Sequence, residues 1–410
     1  MYKTRFLEKK VLELSKYFKI ILVTGARQVG KSTMLSHIFP DYRHITFDPV
    51  EDLYNARKDP DLFLDNFPPP IILDEIQYAP ELLPALKRRV DLSDKKGEYF
   101  LTGSQNIMMM KVVAESMAGR VGIIELPSMS HAEMDGLGEK EYNWLQKWLD
   151  EKDQFDGNII KNDNPKGNIA KIMWRGSLPG ITQIPDEVIP DFYSSYINTY
   201  IERDVRQMEN IGDIGLFHQF VALCSALSAT EINSSQLGRD IGISHNTARR
   251  WLDIMVAGYQ WFELPPYHGN TIKRVSGKKK GYFSDTGLIC NLQRMSSPET
   301  LMAHPMKGNC FETFTINSVR KNISRMSVKP AMYHWRTNGG AEVDLVFEID
   351  GLLFPLEVKF ASKVTSGDSR GIRAFRNTYP DKTSIGIIVY SGPECFKVND
   401  FTWAVPWSAI

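Results

Sequence analysis

Several features that would narrow the class of protein are scarce in this sequence. The 410 residues include four widely separated cysteines, which form neither a disulfide framework nor a zinc-ligand spacing: Cys224, Cys290, Cys310 and Cys395. The 49 basic and 49 acidic residues cancel, so no whole-molecule field favours nucleic acid or a membrane surface. No apolar run reaches the roughly 18 residues of a membrane-spanning helix. We therefore expect a reduced, cytoplasmic protein without a membrane partner, in which any nucleic-acid contact comes from a local patch.

The most informative feature that is present is a glycine loop between a strand and a helix. Residues 22–33 read LVTGARQVGKST, which matches the pattern GxxxxGK[ST] after the apolar IILVT. Glycines let successive N–H groups point at an anion, and the helix that follows adds its positive end. The pattern predicts that Lys31 reaches the β- and γ-phosphates of a nucleotide and that Ser32 holds Mg²⁺. The predicted cradle consists of Gly25, Ala26, Arg27, Gln28, Val29, Gly30, Lys31, Ser32 and Thr33.

A second apolar strand, IILDE at residues 71–75, ends in two acids. We expect Asp74 to hold Mg²⁺ through its water shell, and Glu75 to orient and deprotonate the attacking water. A further strand ends in Leu101-Thr102-Gly103-Ser104, which resembles the sensor position of AAA-type ATPases, where a polar side chain contacts the γ-phosphate or the water. Ser104 is preferred over Thr102 for that role, and a plain glycine turn is the alternative.

Strands and helices alternate from residue 1 to about residue 130, with apolar runs at KIILVT, HITFD, PIILDE, EYFLTGS and RVGIIELP. This alternation predicts a parallel sheet with helices on both faces. A chain of this length exceeds what one hydrophobic core usually serves. We expect a P-loop α/β core over 1–130, a helical lid over 131–210, a winged helix-turn-helix over 211–295 and a second α/β domain over 296–410.

Within the predicted lid, Tyr193, Tyr196, Ile197 and Tyr200 recur at helical spacing, which predicts a core stripe rather than a surface that stacks bases. The charged residues Glu202, Arg203 and Asp204 lie at the end of the same predicted helix.

Two short helices joined by a tight turn are predicted within residues 234–257. Ser234 can cap the first helix, Gly242 ends it and Ser244 caps the second. The second helix would carry basic and amide side chains towards a DNA groove, and the strands WFELPPY and GYFSD would form a basic wing. This predicted DNA surface consists of His245, Asn246, Arg249, Arg250, Lys273, Arg274 and Lys278 to Lys280. Winged helices also serve as packing modules in multidomain ATPases, so both roles stay open.

Acidic residues fall at defined points of the strand-rich segment 331–359. Asp344 lies on EVDLVFEI, while Glu357 and Lys359 share one face of LLFPLEVKF, and an Asp-Gly turn joins the two strands. Two carboxylates beside a lysine can hold a divalent metal ion and an activated water for phosphodiester hydrolysis. The alternative is a salt-bridged sheet face on which Lys359 neutralises both acids.

This constellation resembles the PD-(D/E)xK nuclease superfamily, whose core is a helix, three strands, a helix and a strand. The order here agrees, with a helix carrying Glu312 before the strands and the segments DSRGIRAFRNTY and SIGIIVY after them. The Pro-Asp of the family name is replaced by Ala341-Glu342-Val343-Asp344. We expect a restriction-nuclease-like fold, and cleavage stays open.

The order of GARQVGKST, IILDEIQ, LTGSQN, MAGR, YIERDV, KGYFSDTGL, GNCFETF and EVDLVFE…LEVK resembles a prokaryotic AAA-type ATP-binding family, of the AAA_14 kind, over nearly the whole chain. Its members carry a C-terminal domain of unknown function with a nuclease-like core. The resemblance implies ATP and Mg²⁺ as ligands, hydrolysis to ADP and phosphate, and a ring or dimer. It also implies an arginine that reaches a neighbour's γ-phosphate. Arg120 is the candidate, Arg88 and Arg89 compete with it, and a structural arginine is the alternative.

Two functions follow from these patterns. The first is a DNA-associated ATPase whose nucleotide state moves the winged helix and the nuclease-like domain, and the acids and the basic wing favour it. The second is an ATP-switched signalling or scaffold protein whose C-terminal domain binds a protein, and the neutral charge favours it. The first ranks narrowly ahead. A P-loop kinase fits less well, because the adjacent Asp74 and Glu75 suit water activation.

Overall fold

A parallel sheet occupies the N-terminal part of the chain in the computed structural model, which describes residues 2–104, 117–138, 144–160, 167–200, 205 and 211–410. Its strands are β1 (Ile20–Thr24), β2 (Arg43–Thr46), β3 (Ile71–Asp74), β4 (Tyr99–Gly103) and β5 (Val121–Glu125). They lie in the order β2-β3-β4-β1-β5, and every neighbouring pair is parallel. The predicted parallel sheet is therefore confirmed.

Alternate side chains of β1 enter two separate cores, because successive residues of a strand point to opposite faces. Ile21 and Val23 belong to one hydrophobic cluster, and Ile20 and Leu22 to the other. The first cluster includes residues of α1 (Glu8–Leu14) and α2 (Lys31–Ile38), and the second includes residues of α3 (Pro60–Asn66) and α4 (Leu82–Leu92). Helices thus cover both faces of the sheet, as expected.

The segment after β5 is helical. It contains α5 (His131–Met134), α6 (Trp144–Glu151), α7 (Ile169–Arg175) and α8 (Ile189–Thr199). The predicted core stripe is confirmed, since all four of its members are buried: Tyr193, Tyr196, Ile197 and Tyr200. Glu202, Arg203 and Asp204 lie outside the described residues.

Two helices joined by a tight turn follow within residues 214–283, which we call the helix-turn-helix part. Its elements are α9 (Ile214–Ala226), β6 (Thr230–Glu231), α10 (Ser234–Ile241), α11 (His245–Ala257), β7 (Trp261–Leu264), α12 (Thr271–Ser276) and β8 (Lys280–Phe283). Asn233, not Ser234, caps α10, because its side chain lies before the first turn and accepts the N–H groups of Ser235 and Gln236. Gly242 ends α10 with φ 77°, and Ser244 caps α11, as predicted. The strands β7 and β8 pair antiparallel, but α12 lies on the connection between them.

The C-terminal part is built on a six-stranded sheet. Two helices precede it, α13 (Thr286–Leu292) and α14 (Pro298–Ala303), and its own helices are α15 (Lys307–Arg325) and α16 (Arg370–Thr378). Its strands are β9 (Ala331–Arg336), β10 (Glu342–Ile349), β11 (Leu352–Lys359), β12 (Gly386–Tyr390), β13 (Phe396–Asn399) and β14 (Thr402–Pro406), in the order β13-β14-β12-β11-β10-β9. Helix, three strands, helix and strand occur in the expected order, and β13 and β14 extend the sheet. Within the described residues, no helix is long and apolar enough to cross a membrane.

Candidate functional site

The glycine loop bends the chain between β1 and α2 where the sequence predicts. Gly25 has φ 142° and Gly30 has φ 89°, which are conformations that residues with a Cβ rarely adopt. A Cβ on Gly25 would also lie 2.2 Å from the carbonyl oxygen of Leu126. The buried Lys31 ammonium donates to the carbonyl oxygens of Gly25 at 3.0 Å and Ala26 at 2.9 Å. The loop therefore holds its lysine inside the predicted cradle.

Asp74, at the end of β3, is held beside the loop by hydroxyl groups. Its carboxylate accepts hydrogen bonds from the hydroxyls of Ser32 and Thr102, and from the Thr46 hydroxyl at 3.2 Å. Burial alone would raise the pKa of Asp74, but hydrogen bonds from His44, Ser32 and Thr102 lower it to about 2. The carboxylate is therefore charged and adjacent to Ser32. Together they present the oxygen ligands that Mg²⁺ takes beside a nucleotide.

Glu75 stands next to Ser104, and Thr102 has a different partner. The Ser104 hydroxyl donates to the Glu75 carboxylate at 3.2 Å, and the side-chain amide of Gln77 donates to both of them. Thr102 instead accepts the Glu75 N–H at 3.0 Å and donates to Asp74. This geometry supports the preference for Ser104 as the group beside the water-activating acid, and that role stays a prediction.

Arg5 supports the loop from behind, and no sequence pattern indicated it. Its buried guanidinium donates to the carbonyl oxygens of Val29 at 2.6 Å and Pro127 at 2.7 Å, and to the Glu133 carboxylate at 3.0 Å. Glu133 also closes a capping box with Ser130 at the start of α5. The spacing Ser-x-x-Glu is visible in the sequence and could have located Glu133, but nothing local links it to Arg5.

The three candidate arginines are all engaged in ion pairs near α4. Arg120 pairs with Asp91, Arg88 with Asp61 at 2.6 Å and Arg89 with Asp65 at 2.6 Å. Arg120 precedes β5, whereas the loop follows β1, and the two strands are parallel. Arg120 therefore lies at the opposite edge of the sheet from its own loop, roughly 15 to 20 Å away along a five-residue strand. A role in a neighbouring subunit stays a prediction for all three.

Behind the loop, a cavity of about 170 Å³ separates it from the helix-turn-helix part of the chain. Ala26 lines one side, and Tyr259 and Gln260 line the other. The Gln260 amide donates to the Tyr196 hydroxyl at 3.0 Å, and that hydroxyl donates to the Arg27 carbonyl oxygen at 3.5 Å. A chain of two hydrogen bonds thus connects β7 and α8 to the backbone of the nucleotide loop.

The predicted C-terminal acids come together, but a lysine that the sequence had assigned to a DNA surface lies among them. The Lys280 ammonium, at the start of β8, is 3% exposed. It lies 2.7 Å from the Glu312 carboxylate, 2.9 Å from Glu342 and 2.9 Å from Asp344. These residues line a cleft of about 880 Å³, which we call the C-terminal cleft, together with Glu357 and Lys359, whose ion pair measures 3.5 Å.

The protonation of the C-terminal cleft follows from this arrangement. Burial favours the neutral amine, yet the surrounding groups, Asp344 foremost, raise the pKa of Lys280 well above its ordinary value. Burial and the negative charge of Asp344 raise the pKa of Glu312 to about 7 and that of Glu357 well above its usual range. Burial opposes ionisation of Asp344 too, but Lys280 and Lys359 lower its pKa. The carboxylates are therefore neutralised by ammonium groups and protons.

The two predicted metal sites differ in fit. At the loop, the Ser32 hydroxyl and the Asp74 carboxylate are hydrogen-bonded to each other and offer oxygen ligands for a cation shared with nucleotide phosphates. In the C-terminal cleft, the predicted ligands Asp344 and Glu357 do not suit a divalent ion, because the Lys280 ammonium lies at contact distance from Asp344 where such an ion would bind. Over the described parts of the chain, no group of three His, Cys, Asp or Glu residues has the geometry to hold a metal ion. The role of Asp344 and Glu357 as metal ligands stays a prediction, and the contact between Lys280 and Asp344 argues against it.

Two arginines of the predicted DNA surface form ion pairs with acids of the same chain. Arg249 pairs with Glu263 at 3.0 Å and with Asp253 at 2.6 Å. Arg274 pairs with Glu348 at 2.6 Å, and its guanidinium lies 4.3 Å from the ring centre of Tyr267. These ion pairs argue against an open basic surface at the two arginines, and their contact with DNA stays a prediction.

Other members of that surface are exposed at the start of α11: His245, Asn246 and Arg250. Lys278 is also exposed, whereas Lys279 pairs with Glu263 at 3.0 Å and Lys280 is buried. The side chain of Lys273 lies outside the described residues.

Three family matches divide the chain. Residues 17–135 match the family described as AAA domain, residues 166–299 match a domain of unknown function (DUF8612), and residues 307–410 match another domain of unknown function (DUF4143). Uncharacterized proteins of Mycobacterium bovis and Mycobacterium tuberculosis are each 26% identical over 393 residues, which is 95% of this chain and 80% of theirs. The match over residues 17–135, on the loop geometry above, identifies the N-terminal part as a P-loop ATPase-like domain of the AAA type.

Solved structures resemble the chain only distantly. A signal transduction ATPase with numerous domains and a tetratricopeptide repeat sensor, from Pyrococcus horikoshii, has a TM-score of 0.26 and 12% identity. The match covers 79% of this chain and 47% of that one, so this chain spans about half of its length. A protein from Vibrio cholerae has a TM-score of 0.15 and 11% identity, with 91% of this chain and 89% of that one covered.

Proposed function

We propose that the chain is a Mg²⁺-dependent ATPase that hydrolyses ATP to ADP and phosphate at the loop between β1 and α2. The observation that carries this proposal is the pairing of two acids with separate tasks at the end of β3. Asp74 is ionised and hydrogen-bonded to Ser32, whereas Glu75 is turned towards Ser104. A phosphate-binding loop alone would support binding, and the second acid supports hydrolysis.

Each residue of the site has a task that its position allows. The loop N–H groups and Lys31 bind the phosphates, and Ser32 and Asp74 would hold Mg²⁺. When bound, Mg²⁺ neutralises charge that develops on the transferred phosphoryl group. Glu75 orients and deprotonates the attacking water, and Ser104 hydrogen-bonds either that water or the γ-phosphate.

Phosphate release from ATP tests this proposal. We expect Glu75→Gln to bind ATP normally and to lower turnover by about a hundredfold or more, because the amide cannot accept the water's proton. Lys31→Ala should lose ATP binding. Glu81→Gln, an exposed carboxylate at the start of α4, is the matched control and should leave turnover unchanged. Normal turnover in Glu75→Gln would contradict the assignment, and a phosphorylated small molecule in place of free phosphate would indicate a kinase.

A specific observation now favours the switch function over the DNA-associated one. Arg249 and Arg274 are neutralised within the chain, and Lys280 fills the acid cluster, which removes the main support for a basic groove and a cleavage site. The Gln260 and Tyr196 hydrogen bonds meanwhile connect the nucleotide loop to β7. We therefore propose that ATP changes how the helix-turn-helix part packs on the ATPase-like part, and that the C-terminal part binds a protein. We propose in addition that the chain has the four predicted domains, that the helix-turn-helix part is a winged helix and that the C-terminal part is nuclease-like.

Two measurements separate the candidate functions. Under the switch proposal, a non-hydrolysable ATP analogue changes the oligomer size in light scattering, and duplex DNA leaves ATP turnover unchanged. Gln260→Leu should weaken the effect of nucleotide on size, whereas Gln293→Leu, an amide that contacts Ala222 and Ser225 far from the loop, should not. If DNA raises turnover and Asn246→Ala or Arg250→Ala abolishes that rise, the DNA-associated function is correct instead.

A further inference from the structure

The C-terminal cleft contains a buried cation that belongs to the chain itself. Lys280 comes from β8 of the helix-turn-helix part, whereas Asp344 and Glu342 come from β10 of the C-terminal sheet and Glu312 from α15. Its ammonium group contacts one oxygen of each carboxylate at 2.7 to 2.9 Å. Three carboxylate oxygens thus converge on one ammonium group at hydrogen-bonding distance, which is longer than the roughly 2.0 to 2.6 Å between a divalent metal ion and its oxygen ligands.

The carboxylates are held in position by the elements around them. Asp344 accepts the N–H of Val358 at 2.9 Å with its other oxygen, and Tyr282 donates to Glu312 at 2.7 Å. A Cβ on Gly371, at the start of α16, would lie 2.1 Å from the Glu357 carboxylate, so the helix packs directly against the acids. The carboxylates are therefore fixed around the lysine, and an additional ion at the same point would meet the ammonium charge.

The contact of the helix-turn-helix part with the C-terminal sheet does not depend on Lys280 alone. The Tyr267 N–H donates to the His334 carbonyl oxygen at 2.6 Å, and the His334 N–H donates to the Pro265 carbonyl oxygen at 3.0 Å. The pair of Arg274 and Glu348 adds a charged contact nearby. The lysine is thus delivered by a docked segment and is not a loose surface side chain.

We propose that Lys280 takes the place of a divalent metal ion in the C-terminal cleft. In this conformation the chain excludes metal from its acid cluster, and the same contact fastens the helix-turn-helix part to the C-terminal sheet. The C-terminal part, with its nuclease-like order of strands and helices, then has an acidic cleft whose cation is a lysine of the same chain.

Manganese binding to the full chain, measured by electron paramagnetic resonance without nucleotide, tests the proposal. Wild type and Asp344→Asn should bind the same amount of Mn²⁺, because Asp344 is already occupied. Lys280→Met should bind one additional Mn²⁺ at least about tenfold more tightly than any site at the C-terminal cleft of the wild type, and Lys280→Met with Asp344→Asn should lose it. Lys279→Met, which removes the neighbouring ammonium paired with Glu263, is the matched control and should behave as wild type.

The wild-type arm keeps the proposal testable even if Lys280→Met does not fold without metal. Mn²⁺ binding by the wild type that disappears in Asp344→Asn would overturn the proposal. A folded Lys280→Met variant that gains no Mn²⁺ site would overturn it as well. Recovery of folding of Lys280→Met by Mn²⁺, but not of its Asp344→Asn derivative, would support it.

Discussion

The nucleotide loop and the C-terminal cleft both contain buried carboxylates on neighbouring strands, but different groups contact them. At the loop, Asp74 is surrounded by the hydroxyls of Ser32 and Thr102, which stabilise its charge without cancelling it. In the C-terminal cleft, Asp344 meets the ammonium of Lys280. Hydroxyls leave a negative charge that can attract Mg²⁺, whereas an ammonium removes it. Asp74 can therefore attract a metal ion, whereas the charge of Asp344 is already balanced by Lys280.

The largest effect on stability is expected from Lys280→Met, which removes the cation that distinguishes the C-terminal cleft from the loop. Removal of one partner of a buried ion pair leaves Asp344 and Glu342 without their cation, so the free energy of unfolding should fall by about 3 to 5 kcal/mol. Urea unfolding followed by tryptophan fluorescence measures the change. Asp344→Asn in the same chain should recover part of the loss, and Lys279→Met should cost less than about 1 kcal/mol. Equal stability of Lys280→Met and wild type would contradict the description of Lys280 as the internal cation.

The same substitution in the two acids should separate the two sites by activity. Asp74→Asn should lower Mg²⁺-dependent ATP turnover by about a thousandfold, because an amide is a poor partner for the ion. Asp344→Asn should leave ATP turnover unchanged, since the C-terminal cleft takes no part in hydrolysis. Phosphate release at saturating Mg²⁺ measures both. A matched loss in Asp344→Asn would show that the two sites are linked in catalysis.

Much of the loop site could be predicted because its chemistry is local in the sequence. Gly25 to Ser32 form one motif, and Asp74 and Glu75 end an apolar strand, so strand order alone brings them together. The C-terminal cation could not be predicted in this way. Lys280 is one of three consecutive lysines, and its partners lie in other elements.

One signal could have distinguished Lys280 from its neighbours. Lys280 and Tyr282 share a face of β8, because side chains two apart on a strand point the same way. Tyr282 is fully buried and so is Phe283 on the opposite face, so a lysine within this strand is interior, whereas Lys279 lies just before the strand and is partly exposed. The basic run therefore mixes an interior cation with surface ones, and a composition argument treats all of them as surface. The role of Arg5 could not be predicted either, because its hydrogen-bond partners are distant in sequence.

The pH dependence of stability should also distinguish the C-terminal cleft from the loop. Burial and the charge of Asp344 raise the pKa of Glu312 from 4.5 to about 7, while Lys280 and Tyr282 oppose the shift. A raised folded-state pKa means that folding binds a proton, so its contribution is full below pH 4.5 and is lost as the pH rises through 7. We expect wild type to lose up to about 3 kcal/mol of unfolding free energy over this window.

Glu312→Gln should reduce that slope, because the glutamine does not titrate, and we expect the part that remains to come from Glu357, whose pKa is also raised. Asp74 has the opposite sign, since its pKa of about 2 gives a contribution that is lost only as the pH falls towards 2. Urea unfolding at a series of pH values from 4 to 8 measures the slope, with Glu187→Gln, an exposed acid just before α8, as the control. A slope in Glu312→Gln equal to that of wild type would show that another group titrates.

The smallest expected effect concerns the hydroxyl beside the water-activating acid. The Ser104 hydroxyl donates to Glu75, whereas the Thr102 hydroxyl donates to Asp74. The two hydroxyls at the end of β4 therefore contact different acids of the site. Ser104→Ala should lower kcat by about tenfold, or 1.4 kcal/mol, and leave the KM for ATP unchanged, because the hydroxyl acts on the water or γ-phosphate during hydrolysis. Ser15→Ala, which removes an exposed hydroxyl on the first helix, should change neither constant. A higher KM with unchanged kcat in Ser104→Ala would mean that Ser104 only helps to bind ATP, and that Glu75 is oriented by Gln77 instead.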